Sequence, residues 1–155
     1  MKWKKQDIEQ YVKAKEYIDT AIIPLVPFSM GSTDDELTSL TYQNEVMDLF
    51  VDRVEREYKG RIFRLPSYTY TKSSNLENEM ERLNSFYEEI CKQPFKYVFY
   101  LTFDSKWKKF EKGLGGHLLW VPVMKDGDLN SEETQKLLVD QMEQVTDLIQ
   151  TYWVE

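Results

Sequence analysis

Tyr97-Val98-Phe99-Tyr100-Leu101-Thr102-Phe103-Asp104-Ser105 is the most strand-like run in the chain. Aromatic and branched residues crowd it, and apolar side chains fall on both parities instead of alternating with polar ones. The run is therefore read as the middle of a sheet. It ends in the polar residues Thr102, Asp104 and Ser105, and a functional pocket is expected at that end.

Just upstream, Leu76–Lys92 is the clearest helix, with Leu76, Met80, Leu83, Tyr87 and Ile90 at steps of four and three. Asn75 suits its cap, and Pro94 forbids a further turn. Further upstream, Asp7–Asp19 reads as a helix through Ile8, Tyr11, Val12 and Ile18. Ala21–Phe28 is a continuous apolar strand, although Pro24 cannot donate to a ladder and predicts a bulge or a short pairing. Ser29–Leu37 reads as a polar loop. Thr38–Tyr58 reads as a helix with Tyr42, Val46, Leu49, Phe50 and Val54 on one face and Gly60 beyond its end. Arg61–Leu65 is a short strand closed by Pro66, followed by the polar run Ser67–Asn75.

Downstream of Ser105 comes a basic, aromatic loop, Lys106-Trp107-Lys108-Lys109-Phe110-Glu111-Lys112, and then Gly113, Gly115 and Gly116. His117–Val123 is the last strand. The turn Lys125–Asn130 leads into a helix over Ser131–Tyr152, whose apolar face is Leu138, Met142, Val145, Ile149 and Tyr152.

Strands alternating with helices of this length call for an α/β fold. The expectation is one three-layer α/β/α domain over residues 1–155, flavodoxin- or Rossmann-like, with a mainly parallel four-stranded sheet. Numbered along the chain, the strands take the order 2-1-3-4. The link from Asp104 to Gly116 leaves two choices for the last strand. It is either a parallel crossover or a wide hairpin that sets the strand antiparallel at the edge. The endings Leu25-Val26-Pro27, Phe63-Arg64-Leu65-Pro66 and Trp120-Val121-Pro122 echo one another and favour the parallel choice.

The 155 residues suit one domain with a real core, and 14% aromatic residues argue against disorder. The net charge of −7 argues against duplex nucleic acid as a partner. A single cysteine, Cys91, suits a reducing compartment. The start has no apolar run, and no segment approaches the roughly 18 apolar residues of a spanning helix. A soluble, cytoplasmic protein is expected.

Ligands of open parallel sheets bind beyond the carboxyl ends of the strands. That edge would gather Ser29, Ser67, Tyr68, Thr102, Asp104 and Ser105, and His117 too if the last strand were a hairpin partner. Ser67, Asp104, Ser105 and His117 are the residue types of a hydrolase site, but the nucleophile-elbow pattern is missing. Ser29-Met30-Gly31-Ser32-Thr33 faintly resembles the hydroxyl-rich phosphate loop of flavodoxins, yet Asp34, Asp35 and Glu36 follow it and would oppose a phosphate. One histidine and one cysteine exclude a closed zinc site, and no cofactor or metal is expected. Lys-Trp-Lys-Lys occurs at Lys2–Lys5 and again at Lys106–Lys109. Such a patch serves an anionic partner, a membrane surface or a single nucleic-acid strand, or else it is a solvated loop whose tryptophan packs beneath lysine stems. The second reading is favoured. Tyr42, Tyr68, Tyr70, Phe103, Trp107, Phe110 and Trp120 are many aromatics for a small domain and point to a protein interface.

Several motifs together are familiar: Met1-Lys2-Trp3, Tyr17–Ala21 with Ile23–Pro27, Lys59–Phe63, Leu65–Tyr70, and Leu101-Thr102 with Lys106-Trp107. They resemble the YpiF-like family of spore-forming Gram-positive bacteria, whose function is unknown. The resemblance runs from the first residue to the last helix. It implies a small bacterial single-domain protein and transfers no catalytic residue.

The reading is a non-enzymatic binding or protein-interaction domain that uses the carboxyl edge and the loop 103–116, with a protein partner or a second copy. Its ligand-binding candidates are Ser29, Ser32, Tyr68, Thr102 and Trp107. The alternatives are a small hydrolase at the same edge and a nucleotide- or flavin-binding domain using Ser29–Thr33.

Overall fold

Each long apolar run becomes a parallel strand in the computed structural model, which describes residues 1–123 and 127–154. The elements are α1 (Lys5–Lys13), β1 (Thr20–Phe28), α2 (Asp34–Glu57), β2 (Ile62–Arg64), β3 (Tyr68–Thr71), α3 (Leu76–Ile90), β4 (Tyr97–Thr102), a 3-10 helix (Ser105–Gly113), β5 (His117–Trp120) and α4 (Glu132–Trp153).

The strands lie in the order β2-β1-β4-β5, with β3 also paired to β1. β2 pairs with Thr20–Ile22 and β3 with Leu25–Phe28, so the two are one edge strand interrupted at Leu65–Ser67. Counted that way, the order is the expected 2-1-3-4, and every pairing is parallel. β5 is parallel to β4, which corrects the hairpin alternative.

Pro24 does not bulge β1. Ile22 accepts from Leu65 N–H at 2.9 Å and Phe28 accepts from Lys72 N–H at 2.8 Å, so even-numbered residues of β1 face the β2/β3 side. The donor that Pro24 lacks therefore falls at the break between β2 and β3, outside both ladders.

All six residues of β4 are buried, and alternate side chains enter two different cores. Tyr97, Phe99 and Leu101 join Ile22, Val46, Phe50 and Val145 beneath α2 and α4. Val98 and Tyr100 join Ala21, Ile23, Leu25, Leu83 and Trp107 beneath α3 and the 3-10 helix. A smaller cluster of Met1, Tyr11, Ile18 and Phe63 lies under α1, where the Met1 ammonium pairs with the buried Glu55. Full burial of each large apolar side chain stabilises the fold by roughly 1.5–3 kcal/mol relative to exposure.

Four expectations change. The first helix stops at Lys13 rather than Asp19. α2 begins at Asp34, inside the expected loop, because Thr33 caps it by accepting from Glu36 N–H at 3.3 Å and three acids favour its first turn. The polar run after Pro66 holds a strand, β3. The basic loop after Ser105 is a 3-10 helix that drives Trp107 into the core. The glycines at its end are packing devices. A Cβ on Gly115 would lie 2.4 Å from the Tyr87 ring, and one on Gly116 would lie 2.8 Å from Val98 O. Of the expected turn Lys125–Asn130, Lys125 and Asp126 lie outside the described residues.

Candidate functional site

At the carboxyl edge, the polar residues that close β4 form a structural cap. The Thr102 hydroxyl accepts from Asp104 N–H at 3.0 Å. One carboxylate oxygen of Asp104 accepts from Lys106 N–H at 3.0 Å and starts the 3-10 helix. The other accepts from the Tyr70 hydroxyl at 2.8 Å. The Tyr70 ring meets Trp107 edge-on at 5.4 Å, and Trp107 is fully buried. Burial raises the Tyr70 pKa above its ordinary value, and the Asp104 charge and hydrogen bond add to that rise. Asp104 thus works as a helix cap and tyrosine acceptor, with both oxygens engaged. Ser105 next to it is exposed.

The other edge candidates are dispersed. Ser29 and Ser32 share a hydroxyl hydrogen bond of 2.7 Å, and Thr33 is used as the α2 cap. The anion-favouring start of α2 already carries Asp34, Asp35 and Glu36. His117 opens β5 opposite Phe99, so it lies on the order of 15 Å from Asp104 along the strands. Its ring packs 4.3 Å from Tyr152. Ser67, Asp104 with Ser105, and His117 therefore occupy three separate places, and the hydrolase grouping is not assembled. The expected aromatic surface is also largely core, since Tyr42, Tyr68, Tyr70 and Trp107 are buried. Trp120 is half-buried, with the Lys108 ammonium 3.4 Å from its ring centroid.

The concave surface lies elsewhere. A groove of about 780 Å³ runs over the sheet between α1 and α3. Ile23, Phe63, Leu65 and Phe95 form its floor, and Pro66–Thr69, from the break into β3, border it, which brings in Ser67 and Tyr68. Local sequence explains the gap. α1 is only nine residues long, and Tyr11 anchors its end by stacking on Phe95 at 5.6 Å and donating to Gln93 at 3.1 Å. α3 instead turns Leu83 onto Tyr68 and Tyr70. Between them the apolar floor is left open, and the rim is apolar too: Trp3 is 64% exposed, Val12 59% and Phe86 53%.

Charge around the groove departs from that of the chain. Lys15 stands on the α1 side, Arg82 and Lys92 stand on the α3 side, and Glu89 is the one carboxylate among the described lining residues. Lys92 pairs with Glu89 at 2.7 Å, and Arg82 lies 3.6 Å from Glu79. Lys15 sits 5.9 Å from the Tyr11 ring centroid. The Tyr68 hydroxyl donates to Glu79 at 3.2 Å, and its pKa is pushed up to about 12, first by burial and then by the Glu79 charge. The groove thus offers apolar contact area and cations.

Sequence reasoning found Ser67 and Tyr68 but missed Trp3, Lys15, Arg82 and Phe86 as one surface. One signal was available: Phe86 widens the apolar stripe of its helix, three residues after Leu83 and four before Ile90.

A family described as a protein of unknown function, DUF2487, matches residues 9–153. An uncharacterised protein, YpiF, of Bacillus subtilis (strain 168) is 29% identical over 153 residues, covering 99% of this chain and 98% of that relative. No solved structure matches. Among the described residues, no helix is long and apolar enough to cross a membrane.

Proposed function

The chain belongs to the DUF2487 family, which carries no assigned activity, and from that premise we propose that it is a cytoplasmic, single-domain binding module whose ligand seats in the groove between α1 and α3. One observation carries the reading: an open apolar groove of about 780 Å³ is rimmed by exposed Trp3, Val12 and Phe86. Large apolar side chains exposed over a concave apolar floor mark a surface that a ligand or partner covers. The exposed Cys91 thiol, beside the end of α3, supports the cytoplasmic placement, because a reducing compartment keeps such a thiol intact.

An apolar anionic dye, 8-anilinonaphthalene-1-sulfonate, tests the reading. It should bind the folded protein and fluoresce, and Val12→Glu with Phe86→Glu should abolish the signal. Leu137→Glu with Leu148→Glu, at exposed positions of α4, should leave it unchanged. Equal loss in both variants, or no binding to the native protein, would overturn the reading.

A further inference from the structure

Resting on that reading of the groove, we infer that its occupant is an acidic amphipathic helix of a partner protein, which lies on the sheet between α1 and α3 as a further helix of that layer. Shape, floor chemistry and charge support the same occupant.

The shape is that of a missing helix. On the opposite face, α2 and α4, of 24 and 22 residues, pack directly on one another. On this face, α1 of nine residues and α3 of 15 residues flank an open floor. At about 1.5 Å per residue, the α1 wall is roughly 13 Å long and matches a visitor of about two to three turns.

The floor fits the apolar stripe of such a helix. Ile23, Phe63, Leu65 and Phe95 offer aliphatic and aromatic surface without a buried charge among them. Anchors spaced at i, i+3, i+4 and i+7 seat in grooves of this kind.

Charge selects the helix's flanks. Cations stand on both sides of the floor, Lys15 by α1 and Arg82 with Lys92 by α3, in a chain of net charge −7. Lys92 is shared with Glu89, while the exposed Arg82 keeps donors beyond its contact with Glu79. A helix with carboxylates on both sides of its apolar stripe meets both walls. The single carboxylate of an acyl chain reaches only one. A second copy docked groove to groove would set these cations against their own kind, which disfavours self-association through this face.

The test uses the full chain and three probes. The first is a synthetic helical peptide of about 16 residues with a leucine stripe flanked by glutamates. The second is its twin with lysines for the glutamates, and the third is palmitate. Binding is measured by calorimetry at low salt and by displacement of the anilinonaphthalene dye. The glutamate peptide should bind, and the lysine twin should bind at least about tenfold more weakly. Lys15→Glu with Arg82→Glu, both outside the core, should invert that preference while the circular dichroism spectrum stays native. Equal binding of the two peptides, or displacement of the dye by palmitate alone, would overturn the helix assignment and leave the groove reading standing. If neither the peptides, nor palmitate, nor the dye binds, both fall.

Discussion

The two faces of the sheet are finished differently. One is closed by α2 and α4, two long helices packed on each other. The other is covered by α1, α3 and a 3-10 helix, and an apolar groove stays open between the first two. The repeated tetrapeptide Lys-Trp-Lys-Lys shows the same contrast in miniature. At Lys106–Lys109 the 3-10 helix turns Trp107 fully into the core, whereas at Lys2–Lys5 Trp3 remains 64% exposed on the groove rim. Identical local sequence takes opposite fates because the neighbours differ. Trp107 has Tyr70 and the sheet beneath it, while Trp3 meets the edge of Phe63, 6.5 Å away between ring centroids. What is finished in the fold is therefore expected to govern stability, and what is left open to govern binding.

The two tryptophans offer the largest effect with which to break that contrast. Trp107→Ala should cost about 3–5 kcal/mol in chemical denaturation, and Trp3→Ala should stay within about 1 kcal/mol. Equal losses would mean that the groove rim is packed after all. Next comes the turn into β5, where Gly116 lies against β4. Gly116→Ala forces a Cβ against backbone and should cost about 1–3 kcal/mol, measured as a lowered melting temperature.

Asp104→Ala should cost about 1–2 kcal/mol by removing a cap and the Tyr70 acceptor. Dye binding at the groove should be unchanged, and a loss of binding in the folded variant would return the carboxyl edge to consideration. The smallest effect is in pH. Unfolded tyrosine ionises near pH 10, while folded Tyr68 holds its proton up to about 12. The unfolded chain thus releases its proton first, and the stabilisation, complete below pH 10, is lost as pH rises toward 12. Tyr68→Phe should lessen this alkaline decline in a series of denaturation curves, and the raised Tyr70 and Tyr100 should sustain the remainder.

Much of the fold was legible because it rests on local pattern. The core strand Tyr97–Thr102, the strand order and the capping residue Asn75 can all be read from residue type and period. β3 was hidden because Tyr68–Thr71 sits in a polar stretch, and the strand exists only because Leu25–Phe28 offers an edge to pair with. The helical start at Asp34–Leu37 was hidden because acids there look like loop and act as first-turn stabilisers. The site was far less legible. Asp104, Ser105 and Thr102 carry the residue types of chemistry, and two of them are spent on capping. A groove is the absence of a covering element, assembled from residues between Trp3 and Phe95, and no single periodic run spans it.

The central claim is that the opening between α1 and α3 is where this protein binds. Amide chemical-shift mapping during titration with anilinonaphthalene sulfonate tests it most directly. The account predicts shifts concentrated in residues 3–15, 63–69 and 82–95, with α2 and α4 silent. Shifts centred on residues 102–105 and 29–33, or spread across α2 and α4, would contradict it.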